Sequence, residues 1–305
     1  MILNFVLYLA KLRRENDYSL IYACDETGVW LDPIGSKCID NRGTKEVTVL
    51  NTGHEKTRIT VMLTGRSDGF KSRPFVLLNR KRPDPVIEKK FKGELNLVWK
   101  GKTWFDDELT SIYLDRTFGS MSFKKRLLVW DSFRCHISAK TKKKLKSIKL
   151  DTATVPGGTT KFVQPADVSR NHPFKAKIRQ YYEEWVLDGD LEKTQTGNLK
   201  APPMEVYLQW IVDSWKALPN DLIKKSFKTC GITNDVNGSE DDQIHCFSKN
   251  GPIPTGFVRL SDARIDQSCA ELIEQIDLNE DENNAYVDSD AEIQDEFEFL
   301  GKVKV

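Results

Sequence analysis

At 305 residues, 39% apolar and 30% charged, the chain reads as a soluble, somewhat polar protein of one or two domains with a real core. Its net charge of +1 conceals an asymmetry: residues 1–264 carry 44 Lys/Arg against 32 Asp/Glu, and residues 265–305 carry 2 Lys against 13 Asp/Glu. The basic body suits a polyanionic partner, and six scattered cysteines with no Cys-x-x-Cys pair exclude a zinc pattern and read as free thiols in a reducing compartment.

The apolar start, residues 1–10, is too short to span a bilayer and has no basic leading region, so no membrane segment or signal peptide is expected. Phe5, Tyr8, Leu9 and Leu12 recur at helical spacing and predict an amphipathic helix packed on the domain. Residues 20–32 predict a strand with Asp25 in its interior. Residues 45–51, 58–64 and 74–78 predict three more, forming an antiparallel meander. The Pro/Lys-rich stretch 80–95 reads as a loop. A helix is predicted over 103–118, with Trp104, Leu109, Ile112, Tyr113 and Phe118 available to pack. Residues 126–131 predict a central strand, apolar on both faces, with Asp131 at the carboxyl end where α/β folds place ligands. A Lys-rich helix over 138–148, a strand over 151–155 and a turn over 156–160 follow. Then comes a helix from about 167 to 187 with the stripe Phe174, Ile178, Tyr181 and Trp185. Residues 189–203 read as a linker. Residues 204–218 predict a helix presenting Tyr207, Ile211, Trp215 and Leu218; past 234 the sequence is polar, and beyond about 277 it reads as a disordered acidic tail.

Asp25, Asp131 and Asp167 each sit where a strand or helix can aim a carboxylate into one shared site. Converging carboxylates repel each other, and a hard divalent cation removes that cost because Mg²⁺ prefers oxygen ligands. Two such ions can activate the attacking oxygen and stabilise the leaving oxygen of a phosphodiester. Taken singly, each aspartate has an ordinary reading as a loop, strand-end or helix-cap residue, and Asp167 before a helix suits an N-cap. Glu26 alternates to the face opposite Asp25 and reads as structural or supporting.

The segments around these aspartates resemble the pogo/Tigger-type DDE transposases of the mariner superfamily, relatives of jerky and centromere protein B. Residues 24–28, CDETG, look like the family's first-acid motif. Residues 127–136, LLVWDSFRCH, look like its second-acid strand, with a histidine five residues after the aspartate. Residues 163–175, VQPADVSRNHPFK, look like its third-acid motif, 36 positions beyond Asp131, and residues 226–232, SFKTCGI, look like a family-typical end motif. The resemblance runs from about residue 5 to about residue 233.

The resemblance implies a ribonuclease-H-like α/β fold: a mixed central sheet flanked by helices, a helical C-terminal extension and the acidic tail. It implies a catalytic-type domain over 1–188, a linker over 189–203, a helical extension over 204–234, a polar variable region over 235–276 and the tail over 277–305. It implies Asp25, Asp131 and Asp167 as catalytic metal ligands for Mg²⁺ or Mn²⁺, in a nuclear protein that cuts DNA and transfers the strand. Residues implied in DNA contact are Lys140, Lys142, Lys143, Lys144, Lys146 and His136. A solvated helix is an equal reading for the lysines and a satisfied structural histidine for His136. Partners expected are DNA, chromatin proteins through the acidic tail and a second copy of the chain in a homodimer, with no membrane. Full-length relatives carry helix-turn-helix modules before the core, and only about twenty residues precede Asp25 here. A fragment, a truncated chain or a domesticated derivative is therefore expected. The alternative function is a catalytically silent, domesticated nuclear DNA- or chromatin-binding protein.

Overall fold

The computed structural model describes residues 1–32, 52, 57–119, 122–188, 192–195 and 199–265. The strand expected at 45–51 and the acidic tail lie outside the described residues, as do parts of the expected linker.

Helix α1 (Ile2–Glu15) precedes the strands β1 (Leu20–Trp30), β2 (Arg58–Arg66) and β3 (Phe75–Leu78). These three pair antiparallel in sequence, with Asp25 opposite Leu63 and Val61 opposite Val76. Three of the four strands of the expected meander are therefore present and pair as expected. Strand β4 (Asn96–Trp99) joins β3 in parallel, and β5 (Arg126–Asp131) and β6 (Asp151–Val155) extend the sheet in parallel from β1. The order among the described residues is β4-β3-β2-β1-β5-β6. This is the mixed sheet of the ribonuclease-H-like expectation.

Strand alternation sorts the core into two layers. Ile21, Ala23, Leu127 and Val129 face one side, where α1, α7 (Asn171–Asp188), α8 (Met204–Ala217) and α9 (Asn220–Thr229) bury Phe5, Leu9, Phe174, Ile211, Trp215 and Phe227. Tyr22, Cys24, Leu128 and Trp130 face the other, against α3 (Asp107–Phe118) and α5 (Ala139–Ser147), with Leu109, Tyr113, Leu114 and Leu145.

The stretch 80–95 is not a plain loop. Pro85–Phe91 form helix α2, because Asp84 accepts from the Val86 and Ile87 amides, Pro85 needs no amide partner in the first turn, and Ile87 and Phe91 bury one face. The helix expected from 103 starts at Asp107 instead, capped by Asp106, whose carboxylate accepts from Leu109 N–H at 2.9 Å. Trp104 is consequently outside it and 48% exposed, rather than packed. The Lys-rich helix is preceded by a separate turn, α4 (Arg134–Ile137), and begins at Ala139 after the cap Ser138.

The residues beyond 203 pack onto the sheet's own core. Lys71 Nζ donates to the Trp215, Lys216 and Leu218 carbonyls at 2.9, 2.8 and 2.6 Å, closing the end of α8. The end motif has a physical reason: Gly231 takes φ +74° after α9, so its amide reaches Lys228 O and the Ile232 amide reaches Phe227 O at 2.9 Å. Within the polar stretch after 234, Ile244, Cys246, Phe247 and Leu260 are buried, the last on helix α10 (Gly256–Ile265).

Candidate active site

Register brings the first two aspartates together. β1 and β5 run parallel with Ala23 opposite Val129, so two residues further on Asp25 and Asp131 stand level on neighbouring strands, on the α7 face by alternation. Asp131 ends its strand and is 6% exposed; the Phe133 amide donates to its Oδ1 at 3.3 Å as the chain turns into α4.

Asp167 arrives from the layer above. It lies in a π turn, Ala166–Arg170, between the short helix α6 (Thr160–Val163) and α7. It is not the N-cap that its place before a helix suggested: the turn starts after Pro165 and makes no side-chain cap bond. Single π turns inserted in helices recur at functional sites because they re-aim one side chain. Asn171, the first residue of α7, then ties two acids together. Its Nδ2 donates to Asp25 Oδ2 at 3.0 Å and to Asp167 Oδ1 at 3.2 Å.

Asp131 has a different partner. His136 Nδ1 lies 2.6 Å from Asp131 Oδ1, and its Nε2 lies 3.3 Å from Glu26 Oε1. The imidazole stacks on Trp130, centroids 4.3 Å apart and planes 8° from parallel. His136 is 2% exposed, with Nδ1 on Asp131 and Nε2 near Glu26 but without a hydrogen bond. Glu26 does lie on the face opposite Asp25, and its role there is to pair with His136. The acids are thus gathered as two groups, Asp25–Asn171–Asp167 and Asp131–His136–Glu26. Among the described residues no three acidic, histidine or cysteine side chains stand close enough to hold one ion.

The electrostatics follow from this grouping. Burial, then repulsion from Asp167 and Asp131, pushes the Asp25 carboxyl well above its ordinary range. Asp167 opens to solvent at the mouth, yet the surrounding protein also raises its carboxyl, partly offset by hydrogen bonds with Asp25, Asn171 and Thr160. Burial opposes a charge on His136, but the Glu26 and Asp131 carboxylates outweigh it and hold the imidazole protonated well above its usual range.

One residue of the site had no signal in the sequence. Arg170, in the run DVSRNHPFK, is 0% exposed. Its Nη1 donates to Ala23 O at 3.0 Å, two residues before Asp25, while Nε and Nη2 donate to Ser226 Oγ at 3.2 and 3.0 Å. Its guanidinium lies over the Phe227 ring at 4.9 Å. Burial lowers its pKa to about 10, so it stays cationic beside the acids at neutral pH. Arg170 links the end motif on α9 to the strand that carries Asp25. The expected lysines lie apart from the acids on α5, whose buried face is Thr141 and Leu145. Lys140, Lys142, Lys143 and Lys146 are exposed, and Lys144 is already paired with Asp115 at 2.5 Å.

Comparison with known proteins gives a family and relatives. The DDE superfamily endonuclease family matches residues 56–227, more than half of the chain. The protein described as pogo transposable element with KRAB domain is 30% identical over 236 residues in both Mus musculus and Homo sapiens, over 75% of this chain. This chain spans 38% of the length of those curated relatives. Among solved structures, the Mos1 strand transfer complex aligns over 84% of this chain and 61% of its own at 9% identity and a TM-score of 0.49. The catalytic domain of Mos1 mariner transposase aligns over 77% of this chain and 92% of its own at 8% identity and a TM-score of 0.41.

Proposed function

The chain belongs to the DDE superfamily endonucleases, in their pogo-type branch, and from that premise we propose that it binds DNA in the nucleus and cuts it through Asp25, Asp131 and Asp167. The liberated 3′-hydroxyl then attacks a second phosphodiester. The observation that carries this reading is the convergence of three aspartates from two neighbouring strands and a π turn, two of them bridged by Asn171.

The donor set fits a hard divalent cation. Carboxylates dominate it, their repulsion is incompletely compensated, and Oδ1 of Asn171, the amide that bridges Asp25 and Asp167, has no hydrogen-bond partner, as a group that meets an ion's water shell would not. Mg²⁺ or Mn²⁺ would draw Asp25, Asp131 and Asp167 closer than they stand here, and would neutralise them and the charge developing on the phosphodiester.

The protein's own groups do the positioning. Asn171 sets the Asp25 and Asp167 carboxylates relative to each other. Protonated His136, stacked on Trp130, fixes the orientation of Asp131. Arg170 holds β1 at Ala23 and so holds Asp25 in register. Asp167, open to solvent, faces the incoming strand. The exposed lysines of α5 contact phosphates, a sequence-independent attraction that weakens with salt.

A second reading, a DNA-binding protein that no longer cuts, is favoured by the division of the acids between Asn171 and His136. Mn²⁺ calorimetry followed by a nicking assay separates the two. Binding and Mn²⁺-dependent nicking in the wild type, both lost in Asp131→Asn, is the expected result. No Mn²⁺ binding in either protein would overturn the nuclease reading and leave DNA binding alone.

A further inference from the structure

The strand directions place the carboxyl ends of β1, β3, β4 and β5 and the amino end of β2 at one end of the sheet. The acids sit toward that end of β1 and β5. At the same end of β3 and β4, the segments leaving the two strands enclose an open groove of about 680 Å³, lined by Arg80, Lys81, Arg82 and Trp99. A second groove of about 630 Å³ meets it at Pro85 and continues along the outer edge of β4, past Lys89 and Lys92.

The charges along this path are unbalanced. Lys100 and Lys102 are paired with Glu108 and Asp106. Arg80, Lys81, Arg82, Lys89 and Lys92 are exposed and have no carboxylate partner among the described residues. Only Asp84 and Glu88 oppose them along the two grooves, and Asp84 already accepts the Val86 and Ile87 amides. Beside the first groove the Lys81 stem lies against Gly101, and three residues on the exposed Trp104 ring carries the Arg58 guanidinium 4.0 Å from its centroid. Unbalanced positive charge with room for a chain is the combination that tracks a sugar-phosphate backbone.

We propose that this joined groove along β4 is a DNA-backbone site distinct from the carboxylates, with Arg80, Lys81, Arg82, Lys89 and Lys92 on phosphates. It rests on the reading of DNA as the ligand. The groove takes DNA flanking the cut site, on the β4 side of the sheet end that carries the acids.

The test is anisotropy of a labelled 20-base-pair duplex with the full chain in EDTA, across salt, so that neither metal nor cleavage enters. The variant is Arg80→Gln/Arg82→Gln/Lys89→Gln, all exposed, with an unchanged unfolding midpoint as control. The slope of log affinity against log salt is expected to fall by about 2.7, at about 0.9 per phosphate contact removed, with weaker binding at every salt. Unchanged slope and affinity would overturn the groove while leaving the nuclease reading to its own Mn²⁺ assay. A variant that loses polyglutamate binding but keeps DNA binding would assign the groove to an acidic protein and equally overturn it. A wild type that binds through these residues yet never nicks DNA keeps the groove and loses the nuclease.

Discussion

Gly65 is the most exacting position behind the site. It lies in β2 opposite Ala23, with no left-handed φ to require a glycine; space is the requirement. A methyl group there would stand 2.8 Å from Arg170 Nη1 and 2.9 Å from Ile223 Cγ2. Comfortable carbon contacts lie near 3.5–4.0 Å, so the overlap is about half an ångström or more, with two elements at once. An arginine tip at a surface would swing aside. This one is held by Ala23 O and twice by Ser226 Oγ. Overpacking costs about 1–3 kcal/mol, and glycine to alanine in a strand returns about 0.5–1 kcal/mol. The overlap wins, and Gly65→Ala is expected to lose about 1–2 kcal/mol in urea unfolding. Arg170→Met also destabilises, because it removes the charge-assisted hydrogen bonds to Ala23 O and Ser226 Oγ, at about 1.5–3 kcal/mol. In the double variant the methyl occupies the space the guanidinium vacated. Its loss should therefore fall short of the sum by about 1 kcal/mol, outside the roughly 0.3–0.5 kcal/mol within which independent sites add. Additive losses would refute the packing of Arg170 against Gly65.

Two further outcomes are expected. His136→Gln strips a buried cation from between Asp131 and Glu26 and should lower stability by about 3 kcal/mol or more, whereas Glu108→Gln at the exposed Lys100 pair leaves the thermal midpoint unchanged; equal effects would contradict the buried pairing. Burial pushes the thiols of Cys24 to about 12 and of Cys135 and Cys246 to about 11. Native protein at pH 8 should therefore leave all three unmodified by iodoacetamide, with labelling only after unfolding, as read by peptide mass spectrometry. Native labelling of Cys24 would mean that the Asp25 strand is not buried as described.

The parts of the fold that were legible in the sequence are those with strong local patterns. The apolar run ending at Asp131 and the run RITVMLT at 58–64 marked their strands nearly to the residue, because both strands are buried for most of their length. Helix α2 was hidden by its composition: Lys, Arg and Pro crowd the stretch, and its start signal is only Asp84 before Pro85. Strand β4 has four residues and exists because β3 offers it an edge, a tertiary fact. The three aspartates were legible as motifs, but their division was not. His136 and Glu26 are far apart in sequence, and nothing local says that an imidazole spans from Asp131 to the other face of β1. Arg170 was illegible for the same reason. An arginine in a polar run reads as surface, and only the gap at Gly65 and the hydroxyl of Ser226, on other elements, make it interior.

The expected division after residue 188 has a sharper test. Ending the chain at residue 203 removes α8–α10. The layer over β1 and β5 would lose Tyr207, Leu208, Ile211, Trp215, Ile223 and Phe227, all buried in one cluster with Phe5, Val129 and Phe174. Full burial of each such side chain contributes about 1.5–3 kcal/mol, so their sum rivals the whole margin of about 5–15 kcal/mol by which domains are stable. The polar losses fall on the same side. Lys71 would lose its three carbonyls and Arg170 its hydroxyl, while Arg13, which donates to Ile232 O and Asn234 O at 3.1 and 2.6 Å, would lose both acceptors. The family match extends through α8 into α9, ending at residue 227. Residues 1–203 are therefore expected to show no cooperative urea transition by circular dichroism, against a single sharp one for the full chain. A cooperative transition in the truncated chain would show that the sheet with α1–α7 stands alone, and that the Ser226–Arg170 link is an attachment to the site rather than part of what holds it.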